Sequence, residues 1–120
     1  MTRLRNSCHL LNIQSLNLLL ISMEHNIHLA IQIIPLKTNQ QNPYSIIDKA
    51  IDVIDQSGLT YQVCAMETVI EGKYDQVMAV AKKAQEIAMD EGSEELIVNI
   101  KLHIRKGNDI TWMEKMEKYS

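Results

Sequence analysis

A strict alternation of apolar and polar residues near the end of the chain constrains the fold more than any other feature. Over residues 98–105 every second residue is apolar, and the residues between are polar or charged. Side chains alternate between the two sides of a β-strand, so this pattern predicts a strand with one apolar face. Such a face must pack against another layer. The side chains expected on it are Leu96, Val98, Ile100, Leu102 and Ile104.

Three earlier segments also have the composition of strands, namely residues 27–34, 61–66 and 68–72. We expect Pro35 to end the first of them, because proline cannot donate a hydrogen bond to a neighbouring strand. A tight connection around Met66-Glu67 is expected between the other two.

Two segments have the periodicity of amphipathic helices. Asn42 and Pro43 are residue types favoured at the start of a helix, and Gly58 and Gly92 suit the left-handed conformation that ends one. Spacings of three and four residues place the apolar side chains of each helix on one stripe. The stripes are Ile47, Ala50, Ile51 and Ile54 in the first helix, and Val77, Met78, Ala81, Ala84, Ile87 and Ala88 in the second.

The order of these elements is βαββαβ, followed by a short helix over residues 111–118. Two helices with one apolar stripe each, and four strands with one apolar face each, predict an α+β protein of two packed layers. The predicted architecture is a ferredoxin-like sandwich, in which a four-stranded antiparallel sheet carries both helices on one face.

The chain of 120 residues has the length of one domain. We expect residues 23–120 to form this domain, because residues 1–22 do not share the pattern that follows. Either Met23 is the functional start, or residues 1–22 form a poorly fixed N-terminal extension outside the fold. The apolar run at residues 16–21 is far shorter than the ~20 residues that a membrane-spanning helix needs.

The charge and cysteine content argue against several classes of protein. A net charge of −3 provides no basic field for nucleic acid or an anionic membrane. Two cysteines, Cys8 and Cys64, are too few for the disulfide framework of a secreted domain, so the cytoplasm is the expected location. Cys64 lies in a predicted strand, where we expect a buried, reduced thiol.

The sheet face without helices carries a mixture of polar and apolar side chains. We expect it either to pack against a second copy of the chain or to remain solvated. His28 and His103 could approach each other on neighbouring strands, but the spacing specifies no third ligand, so we predict no metal site. The sequence shows no catalytic triad context and no glycine-rich phosphate loop, and we predict neither an enzyme nor a cofactor.

Residues 64–72 combine a hydroxyl, two carboxylates and a glycine within an otherwise apolar run. Polar side chains at such short connections border the edge of a packed sheet, where small ligands are often held. The alternative is a solvated hairpin in which Glu67 and Glu71 only keep the edge soluble.

A resemblance to a known family rests on the order and spacing of several segments. They are Ile33-Ile-Pro-Leu36, Ser57-Gly-Leu-Thr-Tyr61, Met66-Glu-Thr-Val-Ile-Glu-Gly72, Asp75-Gln-Val-Met78 and the strand up to Arg105. Together they resemble the YkoF-like thiamine-binding protein family over residues 24–119. The loop at residues 37–42 departs from the glycine-, serine- and threonine-rich form of that family.

The resemblance implies a ferredoxin-like fold, dimers that pair through their sheets, often tetramers, and binding of thiamine through its aminopyrimidine ring without catalysis. The family motif falls on Thr68, Glu71 and Gly72. A carboxylate, a hydroxyl and the amide of Gln32 complement the amino group and ring nitrogens of a pyrimidine. Asn99 completes the expected ligand-binding set.

We therefore expect a non-enzymatic protein that binds thiamine or its hydroxymethylpyrimidine moiety in a pocket at an oligomer interface. Its partners would be this small molecule and further copies of itself, as a dimer or tetramer, with no nucleic acid and no membrane. The alternative is an oligomeric structural or regulatory interaction module without a bound vitamin.

Overall fold

A computed structural model of the chain describes residues 24–39 and 41–119, so the predicted extension at residues 1–22 lies outside the described residues. Four strands and two long helices follow one another in the order βαββαβ, and a short helix and one 3₁₀ turn complete the described chain. The strands are β1 (Asn26–Thr38), β2 (Thr60–Val63), β3 (Thr68–Lys73) and β4 (Ser93–His103), and the helices are α1 (Pro43–Gln56), α2 (Tyr74–Asp90) and α3 (Trp112–Met116).

The four strands form one antiparallel sheet in the order β2-β3-β1-β4. Helices α1 and α2 pack on one face of it, and their buried side chains contact alternate residues of β1 and β3. This arrangement confirms the predicted α+β fold with a four-stranded antiparallel sheet. The buried core comprises Ile27, Leu29, Ile31, Ala50, Ile54, Ile70, Val77, Ala81 and Ala84.

Strand β1 continues past Pro35 to Thr38, so the expectation that proline ends it was wrong. Pairing with β3 stops at Ile31, whereas pairing with β4 continues to Thr38. Beyond Ile31 the side of β1 that faces β3 is therefore a sheet edge. Proline is tolerated at an edge because backbone groups on that side have no strand to pair with.

The helix ends follow the predicted signals. The Asn42 side chain accepts a hydrogen bond from the Tyr44 N–H at 2.8 Å, and Pro43 occupies the first turn of α1. Beyond the ends of α1 and α2, Gly58 and Gly92 have φ of 80° and 127°, a region that glycine enters without strain. Capping residues therefore set the limits of both long helices.

The buried stripe of α1 differs by one position from the predicted one. Ile46 is 1% exposed, whereas Ile47 and Ile51 are only half-buried. The helix has apolar residues at consecutive positions, so its periodicity allows either stripe, and the position of the sheet selects one of them. The residues of α1 that are buried are Ile46, Ala50 and Ile54.

The turn between β2 and β3 is as tight as predicted around Met66 and Glu67. The Cys64 N–H donates to the Glu67 carbonyl at 2.9 Å and closes it. Cys64 is exposed, so the expectation of a buried thiol was wrong. The reason is that β2 ends at Val63, which leaves Cys64 in the turn.

Strand β4 keeps the predicted alternation but is less covered than expected. Leu102 lies opposite Leu29, and Ile100 lies opposite Ile31, on the helix side of the sheet. Because β4 is the outer strand, the helices cover it only in part, and Ile100 and Leu102 remain 37% and 40% exposed.

The face opposite α1 and α2 carries the end of the described chain. The Ile110 N–H donates to the Asn26 carbonyl at 2.9 Å, and the Asn26 N–H donates to Asp109 Oδ1 at 2.8 Å. Ile110 is completely buried and anchors this segment. Helix α3 then lies over the sheet, where the Trp112 N–H donates to Glu71 Oε1 at 2.8 Å.

Replacing Ile46 and Ile47 with alanine tests the observed stripe. The two side chains are identical and adjacent in one helix, so the change in helix propensity is the same for both. Ile46→Ala leaves a cavity in the core and is expected to lower the free energy of unfolding by ~2–5 kcal/mol. Ile47→Ala removes a half-buried side chain, and a loss below ~1.5 kcal/mol is expected.

Urea denaturation at one fixed protein concentration measures both losses. Equal losses, or a larger loss for Ile47→Ala, would contradict the assigned stripe.

Candidate functional site

Of the cavities in the described part of the chain, two border residues of the predicted ligand-binding set and lie on opposite faces of the sheet. The first, called here the edge groove, has a volume of about 500 Å³ and lies between the second half of β1, helix α1 and the β2–β3 turn. The second, called the α3 cavity, has a volume of about 430 Å³ and lies beneath α3 on the face opposite α1 and α2. Both volumes fall within the range of small-molecule sites.

The edge groove exists because β1 extends beyond the end of its pairing with β3. The pairing of β1 with β3 stops where Ile31 faces Thr68, and the chain before Thr68 turns away into the β2–β3 connection. The edge of β1 from Gln32 onward therefore faces the groove without a strand beside it in the described chain. Its backbone N–H and C=O groups are hydrogen-bonding groups for a ligand. Ile47 and Ile51 of α1 form part of the apolar wall.

Thr68 is the polar side chain best placed within the edge groove. It lies on the helix side of β3 and is 6% exposed. Among residues 24–39 and 41–119 its hydroxyl has no hydrogen-bond partner, and it is accessible from the groove. Glu67 also lines the groove, and its carboxylate pairs with Lys101 Nζ at 3.1 Å.

The structure separates the five residues of the predicted ligand-binding set. Thr68 and Gly72 lie on the helix side of β3, whereas Glu71 lies on the opposite side, because residues three apart in a strand face opposite ways. Thr68 and Gln32 line the edge groove, and Glu71 lines the α3 cavity. Asn99 Nδ2 donates to Gln32 Oε1 at 3.1 Å on the face opposite the helices.

Gly72 has a packing role in this arrangement. It is buried, and a Cβ atom there would lie 3.2 Å from Leu59 Cδ1 and 3.2 Å from Val77 Cγ1. Such distances are tight for carbon atoms, so glycine allows α2 to approach β3 closely.

Four residues form what we call the His28 network, namely the side chains of His28, Glu71 and Lys115 and the backbone N–H of Trp112. Glu71 Oε1 is 3.0 Å from His28 Nε2 and 2.8 Å from the Trp112 backbone nitrogen. His28 Nδ1 is 2.8 Å from Lys115 Nζ. A charged lysine only donates, so Nδ1 accepts, and neutral His28 carries its proton on Nε2 and donates it to Glu71.

Sequence reasoning singled out His28 and Glu71 but missed their partners Trp112 and Lys115. His28 and Lys115 are 87 positions apart, and no local pattern in the chain signals their contact. The predicted approach of the two histidines is confirmed, because His28 and His103 are opposite each other on β1 and β4.

The charges near the His28 network affect one another. Desolvation lowers the pKa of Lys115. Desolvation, and next the positive charge of Lys115, also lower the pKa of His103. Within residues 24–39 and 41–119, no three His, Cys, Asp or Glu side chains cluster in a way that could hold a metal ion.

Helix α3 is fixed at its first turn by a reciprocal cap. The Glu114 N–H donates to Thr111 Oγ1 at 3.2 Å, and the Thr111 N–H donates to Glu114 Oε1 at 3.2 Å. Arg105 donates to both carboxylate oxygens of Glu114. The Arg105 hydrogen bond, followed by that from the Thr111 backbone, lowers the pKa of Glu114 from 4.5 to about 2.

The fold and the edge groove define a class of protein: a two-layer α+β sandwich with a groove suited to a small organic ligand. Residues 29–120 match the family model described as thiamine-binding protein. The chain therefore belongs to the thiamine-binding protein family, as the resemblance of its sequence implied. In the described part of the chain, no helix is long and apolar enough to cross a membrane.

Relatives of known sequence or structure agree with this assignment. A UPF0045 protein of Clostridium perfringens is 36% identical over 92 residues, which cover 77% of this chain and 95% of that protein. The solved structure of a DUF77 domain from Bacillus cereus has 39% identity and a TM-score of 0.78, covering 82% of this chain and 94% of its own. The solved structure of a Thermotoga maritima protein with a proposed role in thiamine biosynthesis or salvage is similar in fold, with a TM-score of 0.71 at 23% identity. The match covers 79% of this chain and 99% of that protein's chain.

The lowered pKa of the Glu114 carboxyl can be measured by titration. The carboxylate should stay charged, and α3 should keep its cap, as the pH falls through 4.5 and until it nears about 2. Arg105→Met should raise the pKa of Glu114 towards its ordinary value, because the largest cause of the shift is removed. Carbon-detected NMR of the Glu114 carboxyl measures this, and Lys106→Met, at the exposed neighbouring cation, is the matched control. A wild-type pKa near the ordinary value would contradict the capped geometry.

Proposed function

We propose that the chain binds thiamine or its hydroxymethylpyrimidine moiety reversibly in the edge groove and does not convert it. Membership of the thiamine-binding protein family supports the class of ligand. The observation that carries the location is the hydroxyl of the nearly buried Thr68, which has no partner in the described part of the chain and lies in a groove that is otherwise mostly apolar.

The chemistry of the groove suits an aminopyrimidine. The ring has an amino group that donates and ring nitrogens that accept, and the Thr68 hydroxyl can do either. The free edge of β1 from Gln32 onward adds backbone donors and acceptors in one plane. The side chains of Ile47 and Ile51 supply apolar contact for the ring faces.

The charge of the groove suits the other half of thiamine. The thiazolium ring is a permanent cation, and Glu67, whose side chain is 30% exposed and pairs with Lys101 Nζ at 3.1 Å, contributes a carboxylate at the groove. The sequence has no glycine-rich loop to hold phosphate groups, and its net charge is −3. Thiamine is therefore favoured over its pyrophosphate.

We further propose that the chain associates with itself, as a dimer or tetramer, through the outer strand β4. Ile100 and Leu102 on the helix side of β4 are 37% and 40% exposed, and Ile97 on its other side is 47% exposed. Burial against a second copy would remove this surface from water.

The self-association is tested by light scattering of the full chain. Ile100→Glu places a charge on the exposed strand and should lower the measured mass to that of a monomer. Met89→Glu, at a position of α2 that is 46% exposed, is the matched control and should leave the mass unchanged. A monomeric wild-type chain would contradict the proposal.

The location of the ligand is tested with two matched threonine variants and isothermal titration of the full chain. Thr68→Ala removes the hydroxyl in the edge groove and should weaken binding of thiamine and of the free pyrimidine ~5- to 150-fold, or ~1–3 kcal/mol. Thr60→Ala removes an exposed hydroxyl that lines the α3 cavity and should leave the affinity unchanged.

The reverse result would place the ligand in the α3 cavity. Absence of heat with thiamine, its pyrophosphate and the pyrimidine would favour the alternative, an oligomeric interaction module without a vitamin. A change in the mass of the ligand after incubation would contradict the absence of catalysis.

A further inference from the structure

Helix α3, which covers a cavity of about 430 Å³, is held over the sheet by few contacts, among them the hydrogen bond from the Trp112 N–H to Glu71 Oε1 at 2.8 Å. It has five residues, and none of them is buried. Ile110 anchors the chain before it, and the Arg105–Glu114 pair holds its first turn. At its far end, the contact shown with the sheet is that of Lys115 with His28.

The contact between Lys115 and His28 requires a neutral imidazole. His28 is 4% exposed, its Nε2 proton is donated to Glu71, and its Nδ1 lone pair accepts from Lys115. A second proton on His28 would occupy Nδ1 and turn it into a donor. The protonated Nδ1 of His28 and the Lys115 ammonium would then be two positively charged donors 2.8 Å apart. Without an acceptor between them, no hydrogen bond would offset their repulsion.

We propose that His28 is a proton-sensitive switch: when it takes up a proton, Lys115 leaves it, α3 tilts away from the sheet about its first turn, and the α3 cavity opens. The His28–Glu71 hydrogen bond survives this step, because protonation leaves the Nε2 donor in place and adds charge to it. The step is independent of ligand binding in the edge groove, which lies on the other face.

The charged groups around His28 decide which contact gives way. Glu71 on β3 and Lys115 on α3 contact the two ring nitrogens of His28, His103 on β4 lies opposite it, and Arg105 follows two residues further along the chain. Arg105 is paired with Glu114, so its charge is largely compensated. Lys115 is the group that can move, because α3 buries no side chain.

The cavity beneath α3 gives the switch a consequence. Thr111, Trp112 and Met113 form its α3 side, and His28 and Glu71 are on its sheet side. Tilting of α3 about its first turn would therefore widen the cavity and admit solvent to these polar sheet residues and to the indole ring. Because uptake of a proton makes His28 positive and releases Lys115, the cavity is closed at higher pH and open at lower pH.

Trp112 is the single tryptophan of the chain, and its ring centroid lies 6.4 Å from that of His28, so its fluorescence reports this region. The full chain is titrated from about pH 8 to about pH 5, where imidazole ordinarily changes charge. Acid should shift the emission to longer wavelength and raise the Stern–Volmer constant for acrylamide. Identical values across the range would overturn the proposal.

Three variants separate the switch from simple quenching by a nearby imidazolium. Lys115→Met removes the tether, so acrylamide should reach Trp112 at both ends of the range, and His28 should protonate at a higher pH by NMR, because a positive neighbour is gone. His28→Gln keeps an amide donor towards Glu71 but cannot titrate, so the pH response should vanish. His103→Gln should retain it.

A wild-type response in Lys115→Met or in His28→Gln, or its loss in His103→Gln, would overturn the assignment. If the buried His28→Gln change prevents folding, as shown by circular dichroism, the solvent-accessible Lys115→Met variant and the His28 titration decide the question alone.

Discussion

The unequal pairing of β1 is the constraint on which the rest of the structure depends. Up to Ile31 the strand has neighbours on both sides, and from there to Thr38 only β4 pairs with it among residues 24–39 and 41–119. This difference opens the edge groove and leaves a strand edge with free backbone groups inside it. It also allows Pro35 within the strand and leaves Thr68, the first residue of β3, beside open space.

Strand β3 connects two sites that do not share a surface. Its first residue, Thr68, faces the helices and the edge groove, and Glu71 faces α3 and the opposite cavity. The proposed ligand site and the proposed proton switch therefore lie on opposite faces of a strand of six residues. Because the sheet lies between them, a change at one face can be made with little disturbance of polar contacts at the other.

Much of the fold could be predicted from the sequence, because strand alternation, helix periodicity and caps are local. The mistakes arose where burial depends on neighbours distant in the chain. Cys64 lies in a segment with the composition of a strand, but the structure places it in a turn. Ile46 and Ile47 are adjacent in α1, and only the position of the sheet decides which of them is buried in the core. The candidate site was only partly predictable: Thr68 was identified, but its separation from Glu71 by the sheet was overlooked although their spacing implies it.

The sequence by itself determined the order of the elements, the faces of the strands and the limits of the long helices, since each follows from backbone geometry over a few residues. It also determined the family, through motifs that survive in order. Only the tertiary structure decided where β1 loses its partner and where α3 comes to rest. The contact between His28 and Lys115 joins residues 87 positions apart, and a five-residue helix that buries no side chain leaves no periodic signal of its place.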